Sequence, residues 1–245
     1  MSVLIAIPAR YASTRYPGKP LVSLRGPDGD KTLIRRSWEA AMAVRGVDRV
    51  VVATDDARIA DHAAGFGAEV AALLPGFDVV VNLQGDAPLT PAWFVEGLVA
   101  GLLADAGADI ATPVLRCDGK MLAGLLADRR AGRVGGTTAV FGAAMRGLYF
   151  SKEVIPFTGK TFGDDEPTPV FHHVGVYAYR PAALAAYPTW PTGPLERLEG
   201  LEQLRFLENG RHVLCVEVAA HGRQFWELNN PSDVPVIEAM MATMG

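Results

Sequence analysis

Cysteine is scarce in this chain. The two that occur among 245 residues, Cys117 and Cys215, follow no metal-site spacing. That excludes a disulfide-stapled scaffold and a zinc ribbon, and it reads as two small buried apolar side chains in a reducing compartment. Long hydrophobic runs are also missing, since no stretch reaches the roughly 20 unbroken apolar residues of a spanning helix. The apolar start, Met1 to Ala9, has neither a basic leader nor a cleavage site, so no signal peptide is expected. Positive charge is not in excess. Lys and Arg total 23 against 27 Asp and Glu, a formal net charge of −4, which argues against a general nucleic-acid or membrane-surface binder. There are no repeats and no low-complexity tract. The expectation is a soluble, cytoplasmic protein.

What is present is apolar and ordered. Hydrophobic residues make up 49% of the chain, enough for a real core. Short β-branched runs alternate with helical stretches. Strands are expected at Val3–Ala9, Arg49–Thr54, Val79–Leu83 and Asp109–Val114. Helices are expected from Thr32 to about Val44, from Ala57 to Phe66 and from Thr90 to Ala104, with Pro91 in the first turn of the last. That order predicts an α/β fold, a doubly wound, mostly parallel Rossmann-like sheet with right-handed crossovers. The second half differs. Strands are expected at Thr137–Ala143, Leu148–Ser151, Val174–Tyr179 and Val213–Val218, a loop at Gly159–Pro169, a helix at Leu195–Glu208 and a final helix after Pro231. The reading is one domain over 1–245 with a lobe or arm within about 135–190.

Two segments carry candidate chemistry. The loop after the first strand runs Pro8-Ala9-Arg10-Tyr11-Ala12-Ser13-Thr14-Arg15-Tyr16-Pro17-Gly18-Lys19-Pro20. Ligands of doubly wound sheets sit at carboxyl strand ends, so the loop is well placed for a site. Arg10, Arg15, Lys19 and Arg25 all precede the first acid, Asp28. This local positive field in an acidic protein points to an anionic ligand, gripped by Arg forks and a Lys point charge. The alternative is a solvated cationic surface. The loop fits neither the GxxxxGK[ST] nor the GxGxxG pattern, so neither a P-loop NTPase nor a nicotinamide enzyme is indicated. After the third strand comes Gln84-Gly85-Asp86-Ala87-Pro88. A carboxylate there suits Mg2+, a hard cation that takes oxygen ligands and substrate phosphates; the alternative is a turn or cap aspartate, and Thr90 is the better cap for the following helix.

The runs PARYASTRYPGKPL, VVVATDD, VVNLQGDAPL, HHVGVYAYR and PLERLEGLEQLRFLENG together resemble the 3-deoxy-manno-octulosonate cytidylyltransferases, in the family's order and over most of the chain. The resemblance implies a nucleotide-sugar transferase type of sheet with a small dimerisation lobe, a homodimer, and transfer of a cytidylyl group from CTP to a 2-keto sugar acid with release of pyrophosphate. It implies triphosphate contacts at Arg10 and Lys19, with Pro8, Ala9, Ser13 and Arg15 in the same nucleotide-binding loop and Gln84 beside it. It implies Asp86 as a Mg2+ ligand, with Arg10, Lys19 and Asp86 as the catalytic set. It places Gln84, His173, Tyr177, Glu202 and Gln203 against the sugar acid. Each role has a plainer rival: His172 and His173 as ordinary strand residues, Glu196, Glu199 and Glu202 as a solvated helical face, Glu202 paired with Arg205, and Leu195, Leu198, Leu201 and Leu204 as core. His62 reads as surface.

Three departures stand out. The family's segment between the strand ending near Val70 and the strand at Val79 is missing here. The family's second metal-binding aspartate is replaced by Asn229, whose amide oxygen can ligate but carries no charge. The family's Val-Lys-Val strand corresponds to Thr137-Thr138-Ala139-Val140. A same-fold enzyme for another acid, such as a sialic acid or a phosphonate, and a nucleotide-binding relative with reduced turnover are the competing readings.

Overall fold

The apolar run at the amino terminus forms strand β1 (Val3–Pro8), in which Val3, Leu4, Ile5, Ala6 and Ile7 are all buried. Burial on both faces is what an interior parallel strand requires. The computed structural model describes residues 1–13, 15–71, 75–134, 136–223 and 226–243. It contains two compact units, Met1–Glu96 with Ala220–Gly245, and Gly97–Ala219.

In the first unit a short hairpin, β2 (Ser23–Leu24) with β3 (Lys31–Thr32), leads into α1 (Leu33–Met42). Leu33, Ile34, Ser37 and Ala41 line the buried face of α1, the i, i+4, i+8 spacing of one helical stripe. Then follow β4 (Arg49–Ala53), α2 (Ala57–Gly65), β5 (Glu69–Val70) and β6 (Val79–Asn82). Asp56 caps α2, accepting from the Arg58 amide at 3.0 Å. The four strands β1, β4, β5 and β6 pair in parallel in the order β5-β4-β1-β6. The chain thus winds outward from β1 through β4 to β5 and returns to the other side of β1 at β6. The reversal lies between β1 and β6, and the carboxyl ends of those two strands are where such sheets hold ligands. Helix α3 (Ala92–Ala104) comes next. It starts two residues later than expected, and the Thr90 hydroxyl donates back to the Ala87 carbonyl at 3.0 Å.

The second unit is built on β7 (Ile110–Asp118), longer than expected. It is followed by α4 (Gly119–Arg130), β8 (Thr137–Phe141), β9 (Gly147–Ser151), β10 (Pro167–His173), β11 (Tyr177–Tyr179), α5 (Pro181–Ala186), α6 (Pro194–Glu199), α7 (Leu204–Glu208) and β12 (Val213–Val218). β12 pairs with β7 in parallel, whereas β10 and β11 pair with β7, β8 with β10, and β9 with β8, all antiparallel. Helix α8 (Val234–Thr243), led in by the short 3-10 turn Pro231–Asp233, closes the first unit.

Four readings are corrected. Of the strand expected over Val174–Tyr179 only Tyr177–Tyr179 is a strand, β11, because Val176 turns back to bond Val174. β10 ends just before it, at His173, and begins inside the loop expected over Gly159–Pro169. Pro167 and Pro169 hid β10, because proline removes ladder donors; the register shifts between Pro167 and Phe171, and regular pairing resumes from Phe171. Helix α4 was not expected at all; Asp118 caps it, accepting from Met121 N at 2.7 Å. The single helix expected over Leu195–Glu208 is broken at Gly200, whose left-handed backbone (φ 62°) ends α6. The break changes which leucines are buried. Leu204 is core, Leu201 is partly buried, Leu195 lies at the edge of exposure and Leu198 is 83% exposed.

Candidate active site

The loop after β1 folds back on itself. The Tyr11 carbonyl accepts from Ser13 N at 3.0 Å and from Gly18 N at 2.9 Å. Gly18 holds φ 71°, a left-handed conformation natural to glycine, and starts a 3-10 turn, Lys19–Leu21. Lys19 therefore leaves the loop in a fixed direction, and its Nζ meets Asp86 Oδ2 at 2.6 Å. The two side chains are 14% and 24% exposed, so the pair is only partly open to solvent screening.

Asp86 is placed by the turn after β6. Ala87 N bonds to the Gln84 carbonyl at 3.1 Å, and the Ser37 hydroxyl of α1 holds the Gly85 carbonyl at 3.0 Å. A Cβ on Gly85 would lie 2.6 Å from the Pro8 carbonyl oxygen at the end of β1. Only glycine allows the β6 turn to approach β1 that closely. A third segment completes the cluster. Leu228 N donates to the Asp86 carbonyl at 2.9 Å, while the Leu228 side chain is fully buried with Leu24, Leu33 and Ile237. Its neighbours Glu227 and Asn229 are linked to each other by an Asn229 Nδ2 to Glu227 Oε2 contact of 3.5 Å. Arg15 Nη2 donates to Asn229 Oδ1 at 3.1 Å.

The structure thus brings Arg15, Lys19, Asp86 and Asn229 together and adds Glu227. Burial raises the Glu227 carboxyl above its ordinary range, the Asp86 charge raises it further, and the Asn229 amide, Lys19 and Arg15 oppose the shift. Sequence reading missed Glu227; its only signal was its position two residues before Asn229. Arg10 is exposed and makes no hydrogen bond or ion pair among the described residues. Pro8 is exposed, Ala9 is buried with its amide on the Ala53 carbonyl, and Ser13 Oγ accepts from Tyr16 N at 3.4 Å. Arg25 is not part of the cluster, because it bonds to Glu238. Asp233 is engaged elsewhere: its carboxylate accepts from Asn229 N and Asn230 N and caps the turn into α8. The stretch after Val70, where a family segment is missing, includes residues 72–74, which lie outside the described residues.

The second unit holds the remaining candidates. His173 is buried at the end of β10, 2.8 Å from the Thr112 hydroxyl, with its ring against Phe150 and Tyr177. Burial, with His172 beside it, lowers its pKa to about 3, so it is neutral at physiological pH. Tyr177 OH donates to Gln203 Oε1 at 3.1 Å. Gln203 is 2% exposed, and its Nε2 has no hydrogen-bond partner among the described residues. Glu202 is exposed. It does not pair with Arg205, whose guanidinium instead grips buried Glu196 with two bonds of 2.6 Å. Glu199 is also engaged, by Ser151 Oγ at 2.7 Å and Lys152 N at 3.0 Å. Of the three glutamates read as a solvated face, only Glu202 is exposed. His62 is exposed, as expected, with Nε2 2.7 Å from Thr32 Oγ1.

A parallel β/α unit with a lysine–aspartate pair at its switch point is built to hold an anionic ligand, and the family model "Cytidylyltransferase", which matches residues 4–75 and 69–213, makes this chain a nucleotidyltransferase. More narrowly, the chain belongs to the 3-deoxy-manno-octulosonate cytidylyltransferase family. It is 42% identical to the protein of that name from Maricaulis maris (strain MCS10), over 100% of this chain and 99% of the relative. That alignment runs over 263 positions, more than the 245 residues here, so the relative carries residues with no counterpart in this chain. The protein of the same name from Zea mays is 36% identical over 97% of this chain and 80% of its own. Among solved structures, CMP:2-keto-3-deoxy-manno-octonic acid synthetase complexed with CTP superposes with a TM-score of 0.83 at 29% identity, covering 100% of both chains.

Proposed function

We propose that this protein couples CTP to a 2-keto sugar acid, 3-deoxy-manno-octulosonate, giving the CMP-sugar and pyrophosphate. The observation that carries the reading is the meeting of Lys19 and Asp86 at 2.6 Å, with Arg15 and Asn229 alongside, at the sheet's switch point in a member of this family. Arg10, Arg15 and Lys19 bind the triphosphate through charge-assisted bonds. Arg10, exposed and uncommitted, is free to turn onto a phosphate. Pro8, Ala9, Ser13 and Gln84 shape the nucleotide side.

Mg2+ fits the donors present. Asp86 and Glu227 offer carboxylates and Asn229 an amide oxygen, all hard ligands. No group of three or more His, Cys, Asp or Glu suited to a metal occurs among the described residues. One or two carboxylates are what Mg2+ uses when substrate phosphates complete its shell. Two adjoining carboxylates that must also face a triphosphate call for a cation. When bound, Mg2+ would offset phosphate charge. Glu227 supplies a further carboxyl oxygen donor beside Asn229, which supports turnover over the reduced-activity reading.

The sugar acid is assigned to His173, Tyr177, Gln203 and Glu202. Support comes from the buried Gln203 Nε2, a donor without an acceptor, the kind of group a substrate carboxylate satisfies. The sugar hydroxyl attacks the α-phosphorus and releases its proton to water, the phosphoanhydride bond to the β-phosphate breaks, and pyrophosphate leaves with the positive loop holding its charge. Positioning and charge stabilisation carry the rate.

The working form is a homodimer. Leu148, Phe157 and Leu198 of the second unit are 66%, 93% and 83% exposed, large apolar groups that an interface would cover. A cytoplasmic location fits the two cysteines being free thiols. No helix among the described residues is long and apolar enough to cross a membrane. Pyrophosphate release from CTP with candidate acids tests the assignment; release with a sialic acid and not with 3-deoxy-manno-octulosonate would reject the named substrate.

A further inference from the structure

We propose that Tyr11, held under Arg58, is a positioning residue that sets Lys19 for the triphosphate; this rests on Lys19 binding phosphate as read above. The Arg58 guanidinium lies 3.3 Å from the centre of the Tyr11 ring, within cation–π range. The Arg58 side chain is 59% exposed, yet it is held at both ends of its fork. Its Nε and Nη2 fork onto Asp56 at 2.9 and 2.6 Å, and Asp56 itself caps α2 and bonds Thr54 Oγ1 through its amide at 3.2 Å. The guanidinium is thereby anchored to the end of β4 and the start of α2.

Tyr11 transmits that anchor to the loop. Its carbonyl closes the loop through Ser13 N and Gly18 N. The phenol end of its ring lies against Gly18, where a Cβ would come within 3.1 Å of it. Gly18 directly precedes Lys19 and fixes the turn that carries it. A contiguous series of contacts therefore runs from Asp56 through Arg58, Tyr11 and Gly18 to Lys19 and Asp86. Without the ring, Gly18 keeps its amide bond to the Tyr11 carbonyl but loses the wall that packs against its Cα, and the lysine ammonium, on a flexible stem, is held less firmly in direction. No phenol chemistry is required, only the ring.

The test is steady-state kinetics with CTP varied, alongside thermal melting, on the full chain. Y11A is expected to raise KM for CTP and to lower kcat/KM by about 10- to 100-fold, as misplacing a binding group does. Y11F is expected to recover most of that loss, because the ring is kept. R58A is expected to shift the same parameters by a smaller factor. The Y11A/K19A double variant is expected to match K19A, since one residue acts through the other. Wild-type kcat/KM in Y11A beside an impaired K19A would overturn this proposal and leave the Lys19 assignment standing, as would a double variant whose losses multiply. A fully active K19A would overturn the function on which the proposal rests. If Y11A fails to fold, an R58A that melts like wild type and keeps wild-type kinetics overturns the proposal in its place.

Discussion

Lys19 and Asp86 are separated by 67 residues in sequence and by 2.6 Å in space. Removing the amine unpairs a carboxylate and deletes a phosphate contact at once. Lys19→Ala is expected to lower kcat/KM by about 10²–10³, the scale of losing one charge-stabilising donor, as read by pyrophosphate release. Glu39→Ala is the contrast. Glu39 pairs with Lys31 and Arg35 at a partly exposed position, so activity should hold and stability should fall by no more than about 1 kcal/mol. Asp86→Asn and Glu227→Gln are each expected to weaken Mn2+ binding to the CTP complex, measured by titration. Unchanged affinity in Asp86→Asn would remove it from the cation site. The cationic loop and Asp86 were legible because both follow strongly apolar strands. Glu227 was not, because its closeness to Asn229 gains meaning only when Leu228 pairs with Asp86 across the fold.

At the level of elements, the β6 turn depends on Gly85. Its alanine variant drives a Cβ into the Pro8 carbonyl, 2.6 Å away, and should lose roughly 1–3 kcal/mol, the usual price of overpacking, seen as a lower thermal midpoint. Helix α6 depends on a different device, the Arg205–Glu196 pair, whose side chains are 16% and 8% exposed. Arg205→Ala leaves Glu196 buried and unpaired, which costs about 3–5 kcal/mol; Glu196→Gln combined with Arg205→Met should cost less. These elements also mark where sequence legibility ended. β1, β4, β6 and β12 were readable to within a residue, because each is a short apolar run rich in valine or isoleucine. The break at Gly200 was overlooked because glutamate and leucine repeat at helical spacing on both sides of it. β10 was overlooked because its prolines lie where the ladder is irregular.

For the whole molecule, buried His173 and partly buried His172 set the response to acid. In the folded chain His173 titrates at about 3 and His172 at about 4, both lowered by burial from 6.5. As pH falls below about 6.5, the unfolded chain takes up protons that the folded chain refuses, so stability is full above that point and declines towards pH 4 and below. The urea midpoint should drop between about pH 7 and about pH 5, and His173→Phe should flatten the drop; an equal slope in both proteins would refute the linkage. The proposed homodimer is tested at the same scale, by sedimentation of Phe157→Asp, which places a charge at a 93% exposed apolar position; an unchanged sedimentation coefficient would exclude Phe157 from the interface.

The most direct measurement is pyrophosphate release with 3-deoxy-manno-octulosonate and each of CTP, ATP, GTP and UTP, in the wild type and Lys19→Ala. Release with CTP alone, severely reduced in the variant, is the expected result. No release from the wild type with CTP, or equal release from the two proteins, would contradict the account.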